Sequence, residues 1–215
     1  MFKKWFGTKE TETLLNKAPE ILGLHLGGTF ELDALKIRLV EPKLIPSGIS
    51  TTQIIQAVGD VKLDSNSRLL RFYTDDDGFL QVLLSGGNDE NNINDVKLWY
   101  YYDTQTVGSN SDWQSLLDQK ISQEEISLEG HTYTRVWGSA GESNPPIAMT
   151  ETTHTQEGSD ATDQFVMLYQ REIDNELFEY VMYSGEEKIV DNKHERCFVI
   201  STGVDLNRSD FSALT

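Results

Sequence analysis

The run Arg68-Leu-Leu-Arg-Phe-Tyr-Thr74, Asp75-Asp-Asp-Gly78, Phe79-Leu-Gln-Val-Leu-Leu84 reads as an antiparallel hairpin. Two runs rich in aliphatic and aromatic residues flank a short acidic turn that ends in Asp-Gly. That dipeptide accepts the positive φ a tight hairpin needs. Neighbouring strands follow on both sides. Ile54–Leu63 is a strand candidate, with Gly59 as a bulge position. Phe30–Val40 contains another, ended by Glu41-Pro42 and Pro46-Ser-Gly48. Gly86–Asn94 is polar and reads as a loop, and Val96–Tyr102 is the next strand.

The second half repeats the pattern. Strands are expected at His131–Trp137, Ile147–Thr155, Gln164–Ile173, Glu176–Tyr183 and Arg196–Ser201. Loops fall at Gly138–Pro146 and Gln156–Asp163, and Ile173-Asp-Asn-Glu176 is a second hairpin turn. Between the halves, Ser111–Lys120 is the best helix: Ser111 caps it, Trp113, Leu116 and Leu117 share a face, and Lys120 suits its end. A faint repeat links Phe79–Gly86 with Phe178–Gly185, each ending in Ser-Gly after apolar residues as if closing a hairpin. Successive strands with short turns imply antiparallel pairing. The expected fold is mainly β (β-rich α+β), an antiparallel sandwich or open barrel with one packed helix around 111–120. The expected organisation is an N-terminal basic and aromatic segment with a tether over 1–20, then a single β-rich domain over 21–215.

The chain has 215 residues, 38% of them apolar, enough for one substantial core. Eighteen Lys and Arg stand against 35 Asp and Glu, a net charge of −17. Such a field repels phosphate backbones, which argues against nucleic-acid partners and suits a basic or cationic one. Cys197 is the only cysteine, so an intrachain disulfide is excluded and a reducing compartment fits. No secretory leader and no apolar run of membrane-spanning length is legible, so the expected location is cytoplasmic.

Several stretches resemble the YjfK-like family of bacterial proteins. They are Leu22-Gly-Leu-His-Leu-Gly-Gly-Thr-Phe-Glu-Leu32, Ile55-Gln-Ala-Val-Gly59, Arg71-Phe-Tyr-Thr-Asp-Asp-Asp-Gly-Phe-Leu-Gln-Val82, Val96-Lys-Leu-Trp-Tyr-Tyr101, Glu129-Gly-His-Thr-Tyr-Thr-Arg-Val-Trp137 and Glu195-Arg-Cys-Phe-Val-Ile-Ser-Thr-Gly203. The resemblance runs from about residue 20 to the C-terminus. It brings no assigned catalytic residues. It implies an accessory role in a membrane-associated stress or envelope system, peripheral to the inner membrane.

Three groups of residues are candidate sites. Phe2, Trp5 and Phe6 share one face of a helical turn with Lys3 and Lys4 off it. That pattern suits contact with a protein partner, a weak peripheral contact with anionic lipid, or packing on the chain's own domain. Trp99, Tyr100, Tyr101 and Tyr102 alternate across a strand, so one pair packs inward and the other can line an exposed groove. Asp75, Asp76 and Asp77 form an acidic hairpin tip whose spacing fails an EF-hand loop. His25, His131, His154 and His194 show no metal-ligand spacing, and Cys197 sits in an apolar strand that suits an inert thiol. There is no nucleophile elbow and no phosphate-binding loop. No cofactor, metal or catalytic residue is therefore assigned. The expected function is a non-catalytic binding or adaptor protein. The alternative is a small-ligand carrier, or an enzyme acting on a cationic, polyamine-like substrate, with a pocket between sheets.

Overall fold

The computed structural model describes residues 18–141, 143–190 and 193–214. The segment carrying Phe2, Lys3, Lys4, Trp5 and Phe6 lies outside the described residues. The elements, in chain order, are β1 (Thr29–Leu32), α1 (Ala34–Val40), β2 (Thr52–Lys62), β3 (Ser67–Thr74), β4 (Gly78–Ser85), β5 (Ile93–Thr106), α2 (Asn110–Ser115), β6 (Glu125–Leu128), β7 (His131–Arg135), β8 (Ile147–His154), β9 (Ser159–Asp174), β10 (Leu177–Val190), β11 (Lys193–Asp205) and β12 (Phe211–Leu214). All strand pairs are antiparallel. The mainly β, antiparallel expectation is met.

Eight strands close on themselves. The order β2-β3-β4-β5-β11-β10-β9 is completed by β8, which pairs with β9 on one edge and with β2 on the other. A ring of eight strands encloses an interior just wide enough for side chains or one small ligand. The outside of the ring is covered twice. β1, α1, β12 and the Ile21–Leu24 bridge lie on the outer face of β2 to β5, burying Phe30, Ile37, Phe72, Leu80, Leu98 and Phe211 in one core. α2, β6 and β7 cover β9 to β11 and bury Trp113, Ile121, Tyr133, Met167, Tyr183 and Phe198 in another. A third cluster, Phe79, Trp99, Val166, Tyr180 and Met182, lies inside the ring. β3, β4 and the middle of β10 are thus buried on both faces, and their sequences read as near-continuous apolar runs.

The sequence reading needs correction at five places. Only β1 of the Phe30–Val40 stretch is strand. Asp33 caps α1 by accepting from the Lys36 N–H at 2.7 Å, and Ile37 and Val40 then recur at helical spacing on the buried side. The helix expected over Ser111–Lys120 begins one residue earlier, because Ser109 rather than Ser111 caps it, accepting from the Asp112 N–H at 3.1 Å. It continues as a π-helix over Leu116–Lys120, whose wider turn, closed by the Ile121 N–H on the Leu116 carbonyl at 2.9 Å, swings Ile121 back towards the sheet. The register shift in β2 falls between Ile55 and Ala57, and Gly59 is regularly paired. A Cβ on Gly59 would overlap the Glu151 carboxylate, which explains the glycine. Most of the loop expected at Gln156–Asp163 is strand, since β9 starts at Ser159 to pair with β8. Finally, Ser184-Gly185 lies inside β10 and closes no hairpin. Gly185 lets the Trp113 ring approach the strand, with Cη2 3.0 Å from where a Cβ would stand.

Candidate functional site

The ring's interior is built from alternate residues of its strands. β3 sends in Leu69, Arg71 and Tyr73, β5 sends in Lys97, Trp99 and Tyr101, and β10 sends in Met182 and Glu186. β8 contributes Ile147, Met149, Glu151 and Thr153, and β9 contributes Thr162, Gln164, Val166 and Leu168. Halfway along the lumen a polar plug divides it. Arg71 Nη1 donates to Glu151 Oε2 at 2.7 Å and to Gln164 Oε1 at 2.7 Å, and Arg71 Nε donates to Gln81 Oε1 at 3.0 Å. Tyr73 donates its hydroxyl to Glu151 Oε1 at 2.6 Å, and Gln164 Nε2 donates to Oε2 at 2.8 Å. The Arg71 and Glu151 side chains are 3% and 1% exposed, so this pair is tolerated only because its hydrogen bonds are filled. Burial pulls the Arg71 guanidinium down, but Glu151 and Tyr73 beside it more than offset this and hold it above its ordinary value. Burial, reinforced by Glu151, pushes the Tyr73 phenol well up, so it stays a neutral donor.

On one side of the plug is a polar cavity of about 240 Å³, lined by Ala57, Tyr73, Tyr101, Glu151, Thr153, Thr162, Gln164 and Glu186. It shares Thr162 and Glu186 with a wider cleft of about 560 Å³ that reaches Gly108, Lys188 and Cys197. The charges there do not balance. Glu151 is paired with Arg71, and Glu187 with Arg196 and His194. Lys188 is paired with Asp160. Glu186 has no ion-pair partner among the described residues. Burial pushes its carboxyl up; the nearby Arg71 charge pulls it down by more than Glu151 pushes it up, and Ser184 also lowers it, but burial prevails.

Cys197 faces Glu186 across the β10–β11 pair. Burial, and then Glu186, pushes its thiol up to about 11. At pH 8 roughly one thiol in a thousand is then ionised, against about a quarter for a free cysteine. Iodoacetamide should therefore modify Cys197 at least ~100-fold more slowly than a free thiol at pH 8. Mass spectrometry on the native and the denatured protein reads this directly; equal rates would contradict the placement.

The residues singled out in the sequence fall as follows. Trp99 and Tyr100 are both buried, at 1% and 8% exposure, because the lumen covers one face of β5 and the outer layer the other. Tyr101 and Tyr102 are 45% and 39% exposed, where the strand runs past its covering layer. Tyr101 lines the polar cavity, and Tyr102 donates to Glu129 on the outside. The acidic tip is committed to structure. Asp75 Oδ1 accepts from the Ile54 N–H at 2.8 Å; Asp76 Oδ2 accepts from the Ser50 N–H at 2.9 Å and the Tyr100 hydroxyl at 3.0 Å. Asp77 holds the positive φ of the turn, 51°. Among the described residues no group of three or more His, Cys, Asp or Glu is placed to hold a metal ion. Arg71, Glu151, Gln164 and Glu186 escaped the sequence reading. The legible signal was Arg71 itself, a charge set between Leu70 and Phe72 in a mostly apolar strand.

A family model described as a protein of unknown function, DUF2491, matches residues 1–212. The chain belongs to the DUF2491 family. It is 30% identical, over 209 residues, to the uncharacterized protein YjfK of Escherichia coli strain K12, covering 95% of this chain and 94% of that one. This bears out the YjfK-like resemblance. No solved structure matches. In this DUF2491 chain no described helix is long and apolar enough to cross a membrane. The family's description assigns no chemistry, so the lumen must be read from its own residues.

Proposed function

We propose that the chain is a small-ligand-binding protein that holds a cationic, amine-bearing molecule at the polar end of its barrel lumen. The observation that carries this reading is Glu186, a partly buried carboxylate left without a counter-ion. Arg71 and Glu151 cancel, so one negative charge remains in a cavity of about 240 Å³. An ammonium group would neutralise it, with the Tyr73 and Tyr101 side chains on the cavity wall beside it. The chain's net charge of −17 would steer such a ligand inward. The cleft beside Cys197 gives a linear, polyamine-like molecule room to continue.

The expected result is a pair of opposed effects in Glu186→Gln. Calorimetric titration with spermidine at low salt should show binding to the wild type and a loss of about 10–100-fold in the variant, the worth of one charge-assisted contact. Equal affinities would put spermidine on the outer surface and remove the reading. Stability should move the other way. A carboxyl whose folded pKa is raised above its unfolded value contributes most below the unfolded value, and the contribution is lost as pH rises through the folded one. The ligand-free wild type should therefore lose stability relative to Glu186→Gln on going from pH 4 to pH 8. By pH 8 the variant should be more stable by roughly 1 kcal/mol, or ~2–4 °C in Tm.

The adaptor reading keeps one structural support. Leu35 and Leu39, one turn apart on α1, are 65% and 62% exposed, an apolar pair that a protein partner could cover. In that reading the protein acts in the cytoplasm at the inner-membrane surface, with Phe2, Trp5 and Phe6 adding a second contact.

A further inference from the structure

The other end of the lumen is chemically different from the first. Beyond the Arg71 plug is a cavity of about 230 Å³ walled by Leu69, Leu83, Met149, Val166, Leu168 and Met182. Leu63 and Ile147, 39% and 44% exposed, stand on its wall, where it meets solvent. Six polar side chains line it, Arg71, Gln81, Asp95, Lys97, Trp99 and Trp137, and their state decides what fits. Two are cations already neutralised: Arg71 by Glu151, and Lys97 by Asp95 at 2.8 Å and Asp205 at 2.5 Å. Asp95 is held by Lys97, and Gln81 Oε1 accepts from Arg71; the remaining two are the indoles of Trp99 and Trp137. Both residues line the cavity, both Nε1 atoms are buried, and neither has a hydrogen-bond partner among the described residues. Trp99 is 1% exposed. Buried donors are seldom left unpaired, and each exception calls for an acceptor.

We propose that this end is a second binding site, for a small neutral molecule with an apolar body and one hydrogen-bond acceptor such as a carbonyl oxygen. The size fits: an apolar cavity of ~150 Å³ holds benzene, and this one is larger by about one functional group. The apolar walls take the body of the ligand, and the indole N–H groups take its acceptor. An anion gains little, since both cations are already paired. The site is independent of the amine reading, from which the Arg71–Glu151 plug separates it.

Three probes of similar size separate the chemistries: acetophenone (neutral, with an acceptor), cumene (neutral, without one) and benzoate (anionic). The indole N–H resonances of the full-length protein, assigned with single Trp→Phe variants, report the contact. Acetophenone should shift those of Trp99 and Trp137 saturably and leave that of Trp113 in place. Cumene should bind at least ~10-fold more weakly, and Trp137→Phe should reduce acetophenone to the level of cumene. Ile147→Trp, at a half-exposed wall position that spares the core, should block all three. The proposal is overturned if neither resonance moves, if cumene matches acetophenone, or if benzoate binds most tightly. Spermidine should leave both resonances unmoved, so failure here leaves the Glu186 site standing.

Discussion

Arg71→Ala is expected to lower stability by roughly 3–5 kcal/mol, the cost of stranding one partner of a buried ion pair. For a chain of this length that is a fall of about 6–20 °C in Tm. The reason lies in the plug. Without the guanidinium, Glu151 keeps only the Tyr73 hydroxyl and the Gln164 amide as donors, at 2.6 and 2.8 Å, and remains 1% exposed. Two hydrogen bonds cannot replace an opposite charge in the middle of a barrel. Arg71→Met combined with Glu151→Met should recover about half of the loss, because removing both charges costs less than removing one. It should not recover all, since Gln81, Gln164 and Tyr73 lose partners too. Thermal unfolding of the three variants against the wild type checks this. A double variant no better than Arg71→Ala would mean that the loss comes from packing.

Glu179→Ala should have an effect of similar size, about 3–5 kcal/mol, for a different structural reason. Glu179 points outward from β10 yet is 0% exposed, because the outer layers close over it. Its carboxylate accepts from the Ile45 N–H at 2.6 Å, from the Tyr133 hydroxyl at 2.7 Å and from Arg171 Nε at 2.7 Å. Arg171 Nη2 reaches on to the Lys43 carbonyl at 3.0 Å. One side chain therefore ties together β10, β9, β7 and the 43–45 segment that follows α1. Its loss leaves the Arg171 charge and the Ile45 N–H without their acceptor. Beyond a lower Tm, the amide of Ile45 should exchange with solvent at least tenfold faster, while amides of β4 keep their protection. Uniformly faster exchange would mean that Glu179 supports the whole fold and does not hold this junction.

What was legible in the sequence follows the range of the interactions. The Asp75–Gly78 hairpin is a four-residue signal, and β3 and β4 pair antiparallel across it as expected. The Asn175-Glu176 turn between β9 and β10 is equally local. The cap at Asp33 was also local, but the apolar run after it fits a strand as well as a helix, and burial on one side of α1 decided it. Ring closure was not legible. β8 is a Thr-rich strand whose two partners lie about 90 residues before it and directly after it, and only the first of these contacts closes the ring. The site has the same character. Arg71 and Glu151 are 80 residues apart, and Glu186 comes from a third stretch of chain. In the tetrad Trp99–Tyr102 the alternation of faces was readable, but not that both faces of Trp99-Tyr100 are covered. Binary patterning presumes one buried face, and a wrapped barrel has two.

Cation binding at the polar end of the lumen, proposed above, can be seen directly. The most direct measurement is a crystal structure of the full-length protein grown with spermidine at pH 7.5, with a ligand-free crystal as reference. Ligand density is expected in the cavity between Tyr73, Tyr101 and Thr162, with a nitrogen within hydrogen-bonding distance of Glu186 and the Arg71–Glu151 plug intact beneath it. A lumen unchanged from the ligand-free crystal, with spermidine seen only against surface carboxylates, would contradict it.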